Sequence, residues 1–198
     1  VFIAYPNNPT GVLYPEADIV KVIQACKGLV VIDEAYHVFA GKTFVQKISE
    51  FPNLVVIRTV SKLGLAGIRL GYLVGRREWV AQHAKVRPPY NVSVLTQAAA
   101  LFLMDKLDVL EAQAARILSE RGNLRKALEA LKGVQLFPSE ANFFLIRVPD
   151  ATRAYEGLKR QNVLVRNLHP GLENCLRVTV GTPDENRILI AAMREALS

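Results

Sequence analysis

Hydrophobic residues in the first ninety positions fall into short runs that are separated by turn-forming and helical segments. Residues 29–32 and 54–57 share the sequence Leu-Val-Val-Ile, and weaker runs occupy residues 1–4 and 71–74. Short continuous apolar runs are typical of strands that are buried on both faces. Residues 15–28, between the first two runs along the chain, carry apolar side chains at helical spacing and predict a helix that ends at Gly28. Strands alternating with helices predict a mainly parallel sheet with helices on both sides.

The pattern changes after about residue 92. Residues 93–131 are rich in Ala, Leu, Glu, Lys and Arg, with Gly122 as a breaker, and predict one long helix or two in series. Further runs predict strands at residues 142–148, 163–166 and 176–180, with a helix at residues 155–161. Thr182 and Glu185 have the spacing of a capping box, so we expect a last helix to begin there.

These patterns predict an α/β protein of two domains. We expect residues 1–92 to form the C-terminal part of a large domain with a mainly parallel sheet. Residues 93–198 are expected to form a long connecting helix and a small C-terminal α+β domain. Because the chain opens inside an apolar run without a charged leader, we interpret it as a piece of a longer protein.

The composition is that of a folded protein and excludes several functional classes. Of the 198 residues 51% are hydrophobic, which excludes a disordered chain, and no apolar run reaches the roughly 18 residues of a membrane span. The 25 Lys and Arg against 18 Asp and Glu give a net charge of +7, but they are scattered, so we expect no nucleic-acid partner. Cys26 and Cys175 fit neither a disulfide framework nor a metal site, which favours a cytoplasmic protein.

Reactive side chains follow the predicted strands, at the edge where α/β proteins bind ligands. Asn8 follows the first strand, and Asp33 and Tyr36 follow the second. Hydroxyl, amine and guanidinium groups follow the third strand, on Thr59, Ser61, Lys62 and Arg69. This set matches neither a metal site nor a Ser-His-Asp nucleophile. It does contain the groups that a pyridine aldehyde phosphate cofactor requires.

Motifs along nearly the whole chain give it a family resemblance. They are PNNPTG at residues 6–11, IDEAY at 32–36, SKLGLAGIRLG at 61–71, RPPYNV at 87–92, ANF at 141–143 and LRVTVGT at 176–182. In this order and spacing they resemble the fold-type I, class II-like aminotransferases, and are most similar to the histidinol-phosphate aminotransferase family. The resemblance implies that residues 1–92 are part of the large domain that binds pyridoxal 5'-phosphate. It also implies an upstream half-domain, which these 198 residues do not include.

The resemblance implies roles for the residues around the cofactor ring. Lys62 would bind pyridoxal 5'-phosphate covalently and, once freed, move a proton between the substrate and the cofactor. Asp33 would pair with the pyridine nitrogen. Tyr36 and Asn8 would hydrogen-bond the ring oxygen. Glu34 points the opposite way if the strand continues, so we interpret it as structural.

The resemblance implies anion binding by two further sets of residues. The cofactor phosphate would be held by Thr59, Ser61 and Arg69, since a guanidinium can donate two parallel bonds to it. A substrate anion would be held by Arg177, with Arg166 and Tyr90 as weaker candidates.

The function implied by the resemblance is amine exchange between histidinol phosphate and 2-oxoglutarate or glutamate, in histidine biosynthesis. The enzyme would be a cytoplasmic homodimer with no metal and no membrane partner. Two alternatives stay open, namely a pyridoxal-phosphate-dependent aminotransferase or decarboxylase for another amino acid, and a non-catalytic truncated fragment of such an enzyme. A nucleic-acid-binding module is a distant third.

Overall fold

The computed structural model describes all 198 residues, which form two compact units. The first unit comprises Val1–Asn7 and Leu13–Ala114, and the second comprises Asn8–Val12 and Ala115–Ser198. The boundary that the sequence predicts, between residues 92 and 93, lies within the first unit. The assignment of residues 1–92 and 93–198 to separate domains stays a prediction.

The first unit contains a four-stranded sheet in the order β1-β2-β3-β4. Its strands are β1 (Phe2–Ala4), β2 (Val30–Asp33), β3 (Leu54–Thr59) and β4 (Gly71–Gly75). The first three are parallel and β4 is antiparallel to β3. The link from β3 to β4 is too short for the helical crossover that a parallel pair requires, so the chain reverses there. The predicted α/β class with a mainly parallel sheet is confirmed.

Four helices belong wholly to the first unit: α1 (Glu16–Ala25), α2 (His37–Ala40), α3 (Arg77–Val86) and α4 (Val94–Met104). The acidic residues in the first turn of α1 complement the positive end of its dipole. The helix ends at Ala25, before the predicted stop at Gly28. No helix of the structure has the length and apolar character needed to cross a membrane.

The core of the first unit lies between α1, the sheet and the segment after α2. Its buried side chains are Tyr5, Ile19, Ile23, Val30, Ile32, Phe44, Leu54 and Val56. The rings of Tyr5 and Phe44 meet edge to face with centroids 5.1 Å apart. This packing fixes β2 and β3, whose carboxyl ends carry the candidate site residues.

The second unit contains an antiparallel sheet in the order β5-β6-β8-β7. Its strands are β5 (Gln135–Leu136), β6 (Phe143–Arg147), β7 (Arg166–Asn167) and β8 (Cys175–Thr179). Helices α6 (Ala151–Arg160) and α7 (Pro183–Ala196) complete it, and α5 (Leu107–Glu129) contributes residues to both units. The capping box at the start of α7 is confirmed.

Several predicted boundaries in this half are wrong. The long helical stretch is two helices in series, one of the two forms that the sequence predicts, but the break lies at residues 105 and 106 and not at Gly122, which lies inside α5. The predicted strand at 163–166 is limited to Arg166–Asn167, because Asn162 adopts a positive φ and Val163 closes a turn onto Leu158. Helix α6 begins before residue 155, since the Asp150 side chain caps it by accepting the Arg153 N–H at 2.9 Å.

Candidate active site

Side chains at the carboxyl ends of β2 and β3 point alternately to the two faces of the sheet. Asp33 is aligned with Ile57 in the parallel ladder. Because side chains alternate along a strand, Asp33 and Thr59 point to one face, and Glu34 and Arg58 point to the other. The sequence predicts that Glu34 points away from Asp33, and the strand register agrees with this.

Asp33 presents a carboxylate that has no cationic partner. Its Oδ1 accepts the N–H of Ala35 at 3.0 Å, and its backbone carbonyl accepts the N–H of Tyr5 at 2.8 Å. The residue is half-buried and forms no ion pair. A half-buried carboxylate of this kind is suited to pairing with a protonated ligand nitrogen.

Lys62 places its amine beside the ring of Tyr36. The lysine lies in a short 3-10 turn, Ser61–Leu63, which ends at Gly64 in the left-handed conformation (φ 85°). Its Nζ is 5.2 Å from the centroid of the Tyr36 ring, within the range of a cation–π contact. No carboxylate pairs with this amine, so it remains available to a ligand.

Two hydroxyls and a guanidinium follow β3. Thr59 Oγ1 lies 2.9 Å from Ser61 Oγ and accepts the Ser61 N–H at 3.1 Å. Arg69 is exposed and adopts a left-handed backbone (φ 57°), which is uncommon for a residue other than glycine and is enriched at functional sites. These groups are all donors of the kind that bind phosphate.

In the second unit, Arg177 makes an incomplete set of contacts. Its Nη1 donates to Asn8 Oδ1 at 2.7 Å, and its guanidinium carbon lies 5.0 Å from the centroid of the Phe143 ring. Its Nε is buried and has no hydrogen-bond partner. Arg177 also has no carboxylate partner, so its charge is not neutralised within the unit.

Arg166 is the cross-strand neighbour of Arg177. The two residues are paired across β7 and β8, which places both side chains on one face of the sheet. Like charges in this position repel each other, so a bound anion would stabilise them. Tyr90 belongs to the first unit, where its side chain is 98% exposed.

One residue of the site and one contact between its residues were missed by sequence reasoning. Phe143 was placed in a strand and in the ANF motif without a role at the site, although the alternation of β6 could have marked it as the ring facing Arg177. The bond between Asn8 and Arg177 joins residues 169 positions apart, and no local signal in the sequence predicts it.

The comparison with known proteins agrees with the motifs. The profile of the family "Aminotransferase class I and II" matches residues 1–193. Histidinol-phosphate aminotransferase 1 of Burkholderia lata is 55% identical over 201 residues, which is all of this chain and 56% of that protein. The chain therefore spans about half the length of the relatives it matches.

Two solved structures share this fold. Histidinol-phosphate aminotransferase from Clostridium acetobutylicum superposes with a TM-score of 0.91 at 24% identity, over 98% of this chain and 63% of that one. The enzyme of the same name from Sinorhizobium meliloti, solved with pyridoxal-5'-phosphate, has a TM-score of 0.86 at 28% identity, over 100% of this chain and 57% of that one. The chain belongs to the class I and II aminotransferase family.

Proposed function

We propose that this chain carries part of a pyridoxal-phosphate-dependent aminotransferase that exchanges an amine between histidinol phosphate and 2-oxoglutarate. The observation that carries the proposal is the Lys62 amine, which lies without a carboxylate partner beside the Tyr36 ring. The relative from Burkholderia lata, identical at 55% of positions, supports the choice of substrate.

The donor set of the first unit fits pyridoxal 5'-phosphate. The Asp33 carboxylate, free of cationic partners, is suited to holding the proton on the pyridine nitrogen. The Tyr36 hydroxyl is proposed to hydrogen-bond the ring oxygen. Asn8, which belongs to the second unit, stays a sequence-based prediction for the same oxygen. The cofactor phosphate is proposed to bind to Thr59, Ser61 and Arg69.

Lys62 is the proposed catalytic residue. When bound, the cofactor supplies an electron sink that makes the proton on the α-carbon of the substrate amine removable. Lys62 Nζ would hold the cofactor covalently and, once freed, would act as the base that moves this proton.

The second unit is proposed to bind the substrate anion. Arg177 and Arg166 are paired across β7 and β8, so their guanidinium groups share one face of the sheet. This arrangement is suited to the phosphate ester of histidinol phosphate and to a carboxylate of glutamate in the other half-reaction. Tyr90 is kept as a weaker candidate for the same anion.

A homodimer in the cytoplasm is part of the proposal. Helix α4 is strongly apolar yet buries none of its residues, and Leu95 is 82% exposed, Leu101 67% and Phe102 64%. Apolar surface of this extent is typical of a protein–protein interface. The free thiols of Cys26 and Cys175 are consistent with a reducing compartment.

A titration with pyridoxal 5'-phosphate tests the cofactor assignment. We expect the chain to develop the visible absorption band of a lysine-bound cofactor and the Lys62→Ala variant to lose it. Lys42→Ala, at an exposed position, is the matched control and should keep the band. An intact chain with no band would contradict the proposal and favour a non-catalytic protein.

Turnover tests the substrate assignment, and is measured on the protein translated from the complete reading frame. We expect histidinol phosphate to be the preferred amine donor with 2-oxoglutarate as acceptor. If aromatic amino acids react faster by a wide margin, or if decarboxylation replaces amine exchange, the assignment is wrong.

A further inference from the structure

Glu34 is a fully buried carboxylate (0% exposed) directly after β2. Its Oε2 accepts from Arg58 Nε at 2.9 Å, from Arg58 Nη2 at 2.8 Å and from Thr43 Oγ1 at 2.9 Å. Its Oε1 accepts the N–H of Phe44 at 2.6 Å. A buried charge is costly unless such donors surround it, and here the donors all come from the first unit itself.

Arg58 completes the pair from β3. Its Nη2 also donates to Thr43 Oγ1 at 2.8 Å, so the guanidinium joins β3 to both Glu34 and the segment after α2. Burial lowers the pKa of Arg58, but hydrogen bonds to Glu34 and Tyr72 outweigh burial and raise it above its usual value. The group therefore stays charged, and its rigid fork fixes the distance between the two strand ends.

The pair acts on the strand ends through their backbones. Glu34 also donates its N–H to the carbonyl of Ile57 at 2.9 Å, so this residue is tied to β3 twice. Asp33 precedes Glu34 and Thr59 follows Arg58, and both point to the opposite face of the sheet. Fixing Glu34 and Arg58 on one face therefore fixes the direction of Asp33 and Thr59 on the other.

We propose that Glu34 and Arg58 are positioning residues that aim Asp33 and Thr59 at the cofactor, a role that rests on the proposed function. Neither residue touches the cofactor in this account. A buried ion pair can often be replaced by apolar side chains with little loss of stability, so a contribution to folding alone does not explain it. The role in orientation predicts effects that a purely structural pair would not produce.

The test uses a double variant, Glu34→Met with Arg58→Met, which removes both charges together. Its control is Ile23→Ala, which weakens the core of the same unit without touching the strand ends. If the double variant does not fold, Arg58→Lys is used instead, since it keeps the charge but loses the fork. The unfolding free energy of every variant is measured first. Changes in hydrogen exchange and in cofactor affinity can then be separated from a general loss of stability.

The first readout is hydrogen exchange without cofactor at two amides. The Glu34 N–H donates to Ile57, and the Ala35 N–H donates to the Asp33 carboxylate. In the double variant we expect both to lose about tenfold or more of their protection, while the Val56 amide within β3 is unchanged. Ile23→Ala should change the three amides equally.

The second readout is the dissociation constant for pyridoxal 5'-phosphate. The double variant should bind about tenfold more weakly, in line with the effects of residues that orient a site, and Ile23→Ala should bind as the original chain does. If the original chain binds at Lys62 while the double variant shows neither change, the positioning role is overturned and the proposed function stands. If the original chain does not bind at Lys62, both are overturned.

Discussion

Arg166 and Arg177 lie directly opposite each other on the antiparallel strands β7 and β8, on one face of the second sheet. Neither arginine forms a salt bridge. The Arg177 side chain donates a hydrogen bond to Asn8 through Nη1, and its Nε has no partner. The unit therefore holds two facing positive charges whose repulsion an anion would relieve.

Inorganic phosphate is predicted to stabilise the second unit by binding to this pair. We expect its unfolding midpoint to rise with phosphate concentration at constant ionic strength, because a ligand that binds only the folded state shifts the equilibrium. Arg177→Met should weaken phosphate binding by about tenfold, the size of one charged hydrogen-bonding contact, and Arg166→Met by less. Arg153→Met, at an exposed position on α6, removes the same charge and should have no effect. An equal shift in all variants would mean nonspecific ion binding.

Arg69 is predicted to recognise the phosphate of the cofactor and not its ring. Its left-handed backbone can be adopted by glycine without strain, so Arg69→Gly removes the guanidinium but keeps the loop. We expect this variant to bind pyridoxal 5'-phosphate about tenfold more weakly, and pyridoxal, which has no phosphate, as well as before. Spectroscopic titrations of both compounds check this, with Arg77→Met as the control. Equal losses for both compounds would contradict the assignment.

His37 is predicted to make the first unit less stable in mild acid. Burial, together with the positive charge of Arg58, holds the pKa of His37 below its usual value of 6.5. The unfolded chain takes up a proton more readily, so the stability from neutral His37 is complete above pH 6.5 and is lost as the pH falls through its lower folded pKa. His37→Asn should flatten this dependence in denaturant titrations across that range, and His83→Asn should not. If His37→Asn leaves the slope of the unfolding free energy against pH unchanged, groups other than His37 cause the pH dependence.

Glu185 is predicted to make the second unit sensitive to stronger acid. Hydrogen bonds from the Thr182 N–H and hydroxyl hold the pKa of Glu185 below 4.5. Its contribution is therefore present above pH 4.5 and is lost as the pH falls through the folded pKa. Thr182→Ala should cost about 1 kcal/mol at neutral pH and reduce the loss in acid, because both hydrogen bonds between the Thr182 hydroxyl and Glu185 are gone. Calorimetry against Thr152→Ala, a threonine of α6 without a capping role, checks both points.

The first sheet could be predicted because its signals are local. The repeated Leu-Val-Val-Ile runs are buried on both faces and became β2 and β3, and the capping box at Thr182 needs only residues three positions apart. The short strand β7 could not be predicted, since it is defined by pairing with β8 and not by its own composition. Val163 and Val165, which precede β7, pack against the core from a turn. Hydrophobic periodicity cannot distinguish such a turn from a strand.

The candidate site also has a part that local sequence signals predict and a part that they do not. Asp33, Tyr36 and Lys62 stand at fixed offsets from strand ends, so motif and topology were enough to single them out. The opposition of Arg166 and Arg177 depends on strand register, and the burial of Glu34 depends on Arg58 and Thr43, which are distant in sequence. Tertiary contacts of this kind leave no trace in a single sequence.

Trapping the cofactor on the chain identifies the lysine that binds it. The chain is incubated with pyridoxal 5'-phosphate, the linkage is reduced with borohydride, and the peptides are mapped by mass spectrometry. We predict that at equimolar cofactor the modified peptide carries the label on Lys62, with the other lysines essentially unlabelled. A label spread over several exposed lysines, or one concentrated at a lysine other than Lys62, would contradict the account.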